Sequence, residues 1–308
     1  MRRVRLEIFP GGGNLPLWIG HELGWFEKAG LNVEFIRTPG SVHQLPNLIR
    51  GDTDLALTLI DNVVAYREGQ GEVPIVGPDL IGMMTIDTGS LPTLITLPGI
   101  KSYDDLRGKT LSLDAMTTGY AFLLLAMLER GGLGRADYKV EGVGGAFQRF
   151  EALQKGSHAG ALFNSPFEAM LIEKGFRALD TAASAIGRYQ GLMLAARAAW
   201  AKDNRADVVA FCRVTVAAID WLYDRANHDE AIRILGLHLK DTPAALEAAY
   251  ALLTDPRIGL RRKGYVDIDG IANVIAMRSR YGLPARTLTD PNAYYDPSFL
   301  TAALSAPA

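Results

Sequence analysis

Three short stretches of this chain carry groups that could hold or alter a small molecule. Gly11-Gly12-Gly13-Asn14 follows an apolar-alternating run and could offer backbone N–H groups at close range. The same residues suit a tight strand-to-helix turn, and they lack the Gly-Lys-Ser/Thr ending of a Walker loop. Thr117-Thr118-Gly119 precedes a long apolar helical run. There the free amides and the helix dipole favour an anion, while Thr117 alone could serve as a helix cap. Thr58, Asp61 and Asn62 end a short apolar run. Asp61 could accept from a cationic or N–H group of a ligand, or cap the helix that follows.

Further candidates lie around these three. Ser41, His43 and Gln44 follow a strand, and the His43 imidazole could donate, accept or change charge near neutral pH. Asn164 ends a later apolar run, with Phe163 and Phe167 beside it. Trp18, Phe147 and Tyr189 could supply flat walls or could be core. If the chain moves a proton, His43, Asp61 and His21 are the first suspects. His21 falls on an outward or edge face of the opening helix, His158 in a surface turn, and His228 and His238 in structural helices.

No GxSxG, HExxH or CxxC pattern occurs, so the residues force no catalytic constellation. The single cysteine, Cys212, excludes an internal disulfide and a cysteine-rich zinc or iron–sulfur site, and its apolar helical surroundings read as core. We therefore expect neither a metal nor a cofactor.

Strand, turn and helix must position these groups. Val4, Leu6 and Ile8 alternate as a strand, Leu15 to Lys28 carries an apolar helical face, and Gly30 stands where a left-handed cap belongs before a second strand at Val33–Ile36. This is a βαβ unit with a right-handed crossover, and open parallel sheets bind ligands beyond the carboxyl ends of their strands. Helices are expected over 42–49 and 62–68, and strands over 55–59, 74–85 and within 88–97. Strand, polar loop and helix then recur at 111–129, about one hundred residues after the first unit. A second lobe is expected to begin near Asp87. Strands at 138–143, 159–163 and 176–179 follow, with helices at 147–154 and 164–172. Helices at 208–223, 229–237, 242–253 and 266–281 close the chain.

The length of 308 residues suggests about two domains. With 48% hydrophobic and 21% charged residues the composition is that of a globular protein, and a net charge of −2 gives no reason to expect nucleic acid. No apolar run reaches the roughly 18 residues of a spanning helix. Met1-Arg2-Arg3 has the charge of a leader, but Val4 onward reads as a strand with no small-residue cleavage site, so no leader is expected.

Pro16, Ile19-Gly20, Glu22, Gly24-Trp25-Phe26-Glu27-Lys28, Gly30-Leu31 and Val33-Glu34 resemble the opening of type-2 periplasmic binding proteins, in the group that binds nitrate, sulfonates, taurine and the thiamine pyrimidine. Leu48 to Ala56 resembles that group's L-x-x-G-x-x-D-h-A element, and Ile100 to Lys109 its I-K-S-x-x-D-L-K/R-G-K turn. At Ala159 to Phe163 the chain departs from the G-x-x-D-A-A element, with Gly160 and Leu162 where an acid and an alanine are usual. The resemblance spans almost the whole chain and fades after Trp200.

It implies an α/β chain of two lobes joined by two hinge crossings, with the ligand cleft between them: residues 1–86 with 192–308 in the first lobe and 87–191 in the second. It also implies that Thr58, Asp61 and Asn62 form a ligand wall and that the 117–119 loop takes the anionic end of a ligand. The implied function is that of a monomeric binding protein that delivers a small anionic or amide-bearing solute to an ABC permease. The rival on the same fold is an enzyme, a decarboxylase or lyase of an aromatic or heterocyclic acid; a cytosolic sensor is a third reading. Thiamine-pyrimidine synthases of this fold use a cysteine-rich motif, which one cysteine cannot supply. The resemblance implies the periplasm, whereas an opening at Met1 without a leader pattern leads us to expect the cytoplasm.

Overall fold

The computed structural model describes residues 1–87, 92–164 and 167–305. The chain opens with strand β1 (Arg2–Ile8), a single turn at Gly12–Asn14, helix α1 (Leu15–Glu22), a short α2 (Trp25–Lys28) and β2 (Leu31–Arg37). The expected single helix over 15–28 is broken because Gly24 takes φ 69°, a left-handed conformation that ends one helix and starts the next. Then come α3 (Ser41–Arg50), β3 (Leu55–Leu59), α4 (Ile60–Arg67) and β4 (Leu80–Thr85). The strand expected over 74–85 is confined to its last six residues. Pro74 and Pro78 have no N–H to give a ladder, and the Gly77 amide donates instead to Tyr66 O at 2.9 Å.

A second run follows: β5 (Thr93–Thr96), β6 (Thr110–Leu113), α5 (Gly119–Arg130), β7 (Lys139–Gly142), α6 (Ala146–Gln154), β8 (Gly160–Phe163), α7 (Phe167–Glu173), β9 (Arg177–Thr181) and α8 (Ala182–Ile186). The start of the strand expected within 88–97, and the start of the helix expected at 164–172, lie outside the described residues. The chain then returns through β10 (Leu192–Arg197) and ends in α9 (Ala198–Asp203), α10 (Arg205–Leu222), α11 (His228–Leu239), α12 (Pro243–Leu253), α13 (Ile268–Tyr281) and α14 (Ser298–Ser305).

These strands form two five-stranded sheets with one plan. The first has the order β2-β1-β3-β10-β4 and the second β7-β6-β8-β5-β9. In each, three strands run parallel and the fourth position is antiparallel to both its neighbours. That fourth strand is β10 in the first sheet and β5 in the second, in each case the first strand after the chain crosses between sheets. The molecule is therefore a two-lobed α/β structure.

The crossings lie side by side. The Thr85 hydroxyl donates to Leu192 O at 2.6 Å, and the Gln190 amide donates to Thr85 Oγ1 at 2.9 Å. Gln190 Oε1 accepts from the Asp267 amide at 2.8 Å, which ties both crossings to the start of α13.

One core lies between the first sheet and helices α1, α10, α11 and α14, and Cys212 is buried in it, its thiol pushed up to about 12 by burial. A second core joins α4, α5 and α13 and takes side chains from both sheets. Two of the sequence strings that resemble family motifs have structural explanations. Asp54 accepts from the Arg5 amide at 2.9 Å and from its guanidinium at 3.0 and 2.7 Å, which pins the start of β3 to β1. Asp105 accepts from the amides of Lys101 and Ser102 at 2.8 and 2.9 Å, forming a side-chain-closed turn before β6.

Candidate functional site

A cleft of about 1350 Å³ opens between the lobes. Residues at or just beyond the carboxyl ends of all six parallel strands line it: Phe9, Thr38 and Leu59 from the first sheet, Asp114, Gly144 and Asn164 from the second. This follows from strand direction, since the parallel strands of each sheet end toward the other lobe.

The second lobe presents hydrogen-bond donors to the cleft. Arg149, on α6, is only 6% exposed yet lines it. Its Nη1 donates to Leu162 O at 2.6 Å and its Nε to Gly144 O at 3.2 Å. A guanidinium carries five N–H donors, so three remain without a partner among the described residues, and no carboxylate among them lies within ion-pair distance. Burial holds this guanidinium below its ordinary range, and the nearby Asp114 charge acts in the opposite direction. Beside it, Asn164 Nδ2 donates to Tyr120 Oη at 2.7 Å, which leaves the Tyr120 proton to be given elsewhere. Burial pushes the Tyr120 phenol up to about 12, so it remains a donor at neutral pH.

Helix α5 begins at this wall. Thr118, not Thr117, is its cap, accepting from the Ala121 amide at 3.2 Å and donating to Asp114 Oδ1 at 2.7 Å. The Gly119 and Tyr120 amides then have no intrahelical partner. Gly119 lies where the lobes meet: a Cβ there would sit 2.6 Å from Asp61 Cγ and 2.7 Å from Tyr189 Oη. Tyr189 is buried, lines the cleft, and its hydroxyl has no partner among the described residues. Burial, with the Asp61 charge second, raises its pKa well above the ordinary phenol value.

The chain matches the family described as NMT1/THI5 like over residues 14–229. It belongs to that family. No curated protein sequence matches it. Among solved structures it is similar to the periplasmic aliphatic sulphonate binding protein SsuA from Escherichia coli, with 20% identity, 91% of this chain and 90% of that one covered, and a TM-score of 0.69. The periplasmic nitrate-binding protein NrtA from Synechocystis PCC 6803 gives 14% identity, 98% and 88% coverage and a TM-score of 0.76. The desulfurization enzyme DSZB gives 14% identity, 99% coverage of both chains and a TM-score of 0.68. At these identities the likeness is one of fold, and the fold is the two-lobed one of periplasmic binding proteins.

For this NMT1/THI5-like chain, the structure brings Gly13, Ser41, Asn62, Thr118, Gly119, Phe147, Asn164 and Tyr189 to the cleft. It keeps other candidates away. Gly12 backs onto Leu239, Ala249 and Leu253. The Asn14 amide donates to Phe9 O and Gly11 O at 2.7 and 2.9 Å, so it clamps the glycine turn. Thr58 is buried and accepts from Asn62 Nδ2 at 2.9 Å. Thr117 donates to Glu72, and its carbonyl accepts from Arg278 at 2.9 Å. His43 is exposed on α3 and lines no part of the cleft. Trp18 stacks on His238 with ring centroids 4.4 Å apart.

Asp61 does not cap α4, whose cap position is Leu59. It sits in the first turn, 1% exposed, paired with the fully buried Arg278 of α13. The proton-transfer trio does not assemble: Asp61 is committed to Arg278, His43 is solvated, and His21 is exposed with its ring edge against Phe35 at 5.5 Å. His158 is 8% exposed and paired with Glu141 at 3.1 Å, because the turn at 155–157 is exposed but the chain enters the lobe at His158, just before β8.

Sequence reasoning missed Arg149. It reads as one arginine on an amphipathic helix. The available signal was its place four residues after Gly145, at the helix that follows a parallel strand.

Proposed function

We propose that this protein is the solute-binding component of an ABC import system, and that it closes its lobes, residues 1–86 with 192–308 against 87–191, on one small organic anion. The observation that carries this reading is Arg149: a buried guanidinium on the cleft wall, with donors to spare and no carboxylate within ion-pair distance among the described residues. An unneutralised buried cation is costly unless an anion completes it. The Tyr120 hydroxyl and the start of α5 add donors to the same wall. Aromatic rings at Phe9, Phe147 and Phe167 offer apolar surface for the organic body. Closure has a driving force as well, since Phe147 on one lobe and Ile258 on the other line the cleft while 58% and 44% exposed. Relatives in fold named for binding aliphatic sulphonates and nitrate support a small anion.

The test is a thermal-shift screen of small carboxylates and sulfonates, with the best hit recovered and weighed by mass spectrometry. Stoichiometric recovery of the unchanged compound is expected. Catalytic change of its mass would replace this reading with the enzyme. Arg149→Gln should weaken the hit by about thirtyfold or more, as loss of one partner from a buried charged pair does. Unchanged affinity would refute the assignment.

A further inference from the structure

We infer that the cleft has a second cationic pole, Arg261, and that the ligand is therefore an anion with a second anionic group at its far end. This rests on the anion-binding reading of Arg149 and goes beyond it.

Arg261 lines the same cleft, but from the segment between α12 and α13, in the lobe that faces Arg149. Its Nε is buried with no hydrogen-bond partner, and its guanidinium has no ion-pair or side-chain hydrogen-bond partner among the described residues. A buried donor left unmade is destabilising, so the position calls for an acceptor that arrives from outside the chain.

The segment is built to hold that position. The Gly259 amide donates to Asp255 O at 2.8 Å and the Leu260 amide to Leu253 O at 2.8 Å, closing a tight turn. No side chain fits at Gly259, where a Cβ would lie 2.3 Å from Leu253 O. The Arg261 amide donates to Ile86 O at 3.0 Å, and Leu260 forms a β-bridge with Asp87. The guanidinium is thereby fastened to the first crossing, beside the hinge, and not carried on a loose loop.

The other arginines on the cleft wall are paired, and its remaining carboxylates accept from neutral donors. Arg188 is paired with Asp267 and Asp269, and Arg257 with Asp255. Glu168 accepts from Thr93, Asp114 from Thr118, and Asp87 from the Leu192 amide. Two arginines thus face one cleft with donors to spare, one from each lobe. A ligand with an anionic group at each end satisfies both and draws the lobes together. A ligand with one anionic group leaves Arg261 as it is.

The experiment uses three probes on one ring: benzoate, benzenesulfonate and 4-sulfobenzoate, titrated by calorimetry into the intact protein and into Arg149→Gln and Arg261→Gln. We expect 4-sulfobenzoate to bind the parent protein about tenfold tighter or more than either monoanion, ~1.4 kcal/mol. Arg261→Gln should erase that preference by weakening 4-sulfobenzoate about tenfold more than either monoanion, whereas Arg149→Gln should weaken all three. Equal binding of all three probes, or an Arg261→Gln variant that still prefers the dianion, overturns the second pole and leaves the solute-binding reading standing. No binding of any probe at millimolar concentration overturns both. A thermal melt of each free variant separates a lost contact from a lost fold: an Arg261→Gln protein that melts well below the parent and loses every probe makes Arg261 a structural residue, which also overturns the inference.

Discussion

Gly119 is the point where the start of α5 meets the other lobe, and replacing it with alanine tests whether that contact is as tight as described. A Cβ would lie 2.6 Å from Asp61 Cγ, 2.8 Å from Asp61 Oδ2 and 2.7 Å from Tyr189 Oη, all closer than real Cβ atoms approach. Relief has to come from a neighbour. Asp61 cannot give way, because both its oxygens are held by the guanidinium of Arg278. Tyr189 can move only by shifting a buried ring. Overpacking of this kind costs about 1–3 kcal/mol. Alanine recovers less than ~1 kcal/mol of that through its better helix propensity at a first-turn position. The net loss is about 1–2 kcal/mol, which lowers Tm by roughly 2–8 °C for a lobe of this size. Differential scanning calorimetry of the free protein measures it. Tyr189→Phe removes one of the two crowded partners, so the double variant Gly119→Ala, Tyr189→Phe should recover part of the loss, and the residue that remains reports Asp61. A Gly119→Ala protein that melts at or above the parent temperature would show that the lobes do not meet at this atom, and would refute the reasoning.

Two further outcomes follow from the packing. Arg278→Met strands the Asp61 charge in the core and should cost about 3–5 kcal/mol in a denaturant melt, whereas Asp61→Leu with Arg278→Met should recover most of it; a double variant no better than the single one would contradict this. Asp54 gives a pH signature. Burial acts to raise its carboxyl, but the Arg5 hydrogen bonds outweigh burial and hold it below the usual carboxylate range. A group with a depressed folded pKa stabilises fully above its unfolded value, about 3.9, and loses that contribution as pH falls through the folded value. The Tm gap between the parent and Asp54→Asn should thus be constant near neutral pH and close below about pH 4; a gap constant down to pH 3 would remove Arg5 as the cause.

Most of the elements were legible because they depend on local pattern. Alternating apolar residues, helical faces and glycines at left-handed positions such as Gly24, Gly30 and Gly51 act over a few residues, and each is written in the sequence it governs. The Asp54 and Asp105 clamps were legible as strings and became intelligible only as hydrogen bonds. Segment 74–79 forms no strand, because Pro74 and Pro78 have no N–H to give a ladder.

What the tertiary structure alone decided is the fate of charges. Arg149, Arg261 and Arg278 are three arginines on or beside amphipathic segments, where a one-dimensional reading places them in solvent. Packing makes the first a donor in the cleft wall, gives the second, half-buried, an Nε that is buried without a partner beside the hinge, and makes the third the fully buried partner of Asp61. His43 and Asp61 were exchanged in the same way, one left exposed and the other sealed between lobes. Local sequence sets where a helix or strand begins, but burial is set by what packs across the element, and for Asp61 that partner, Arg278, is 217 residues away.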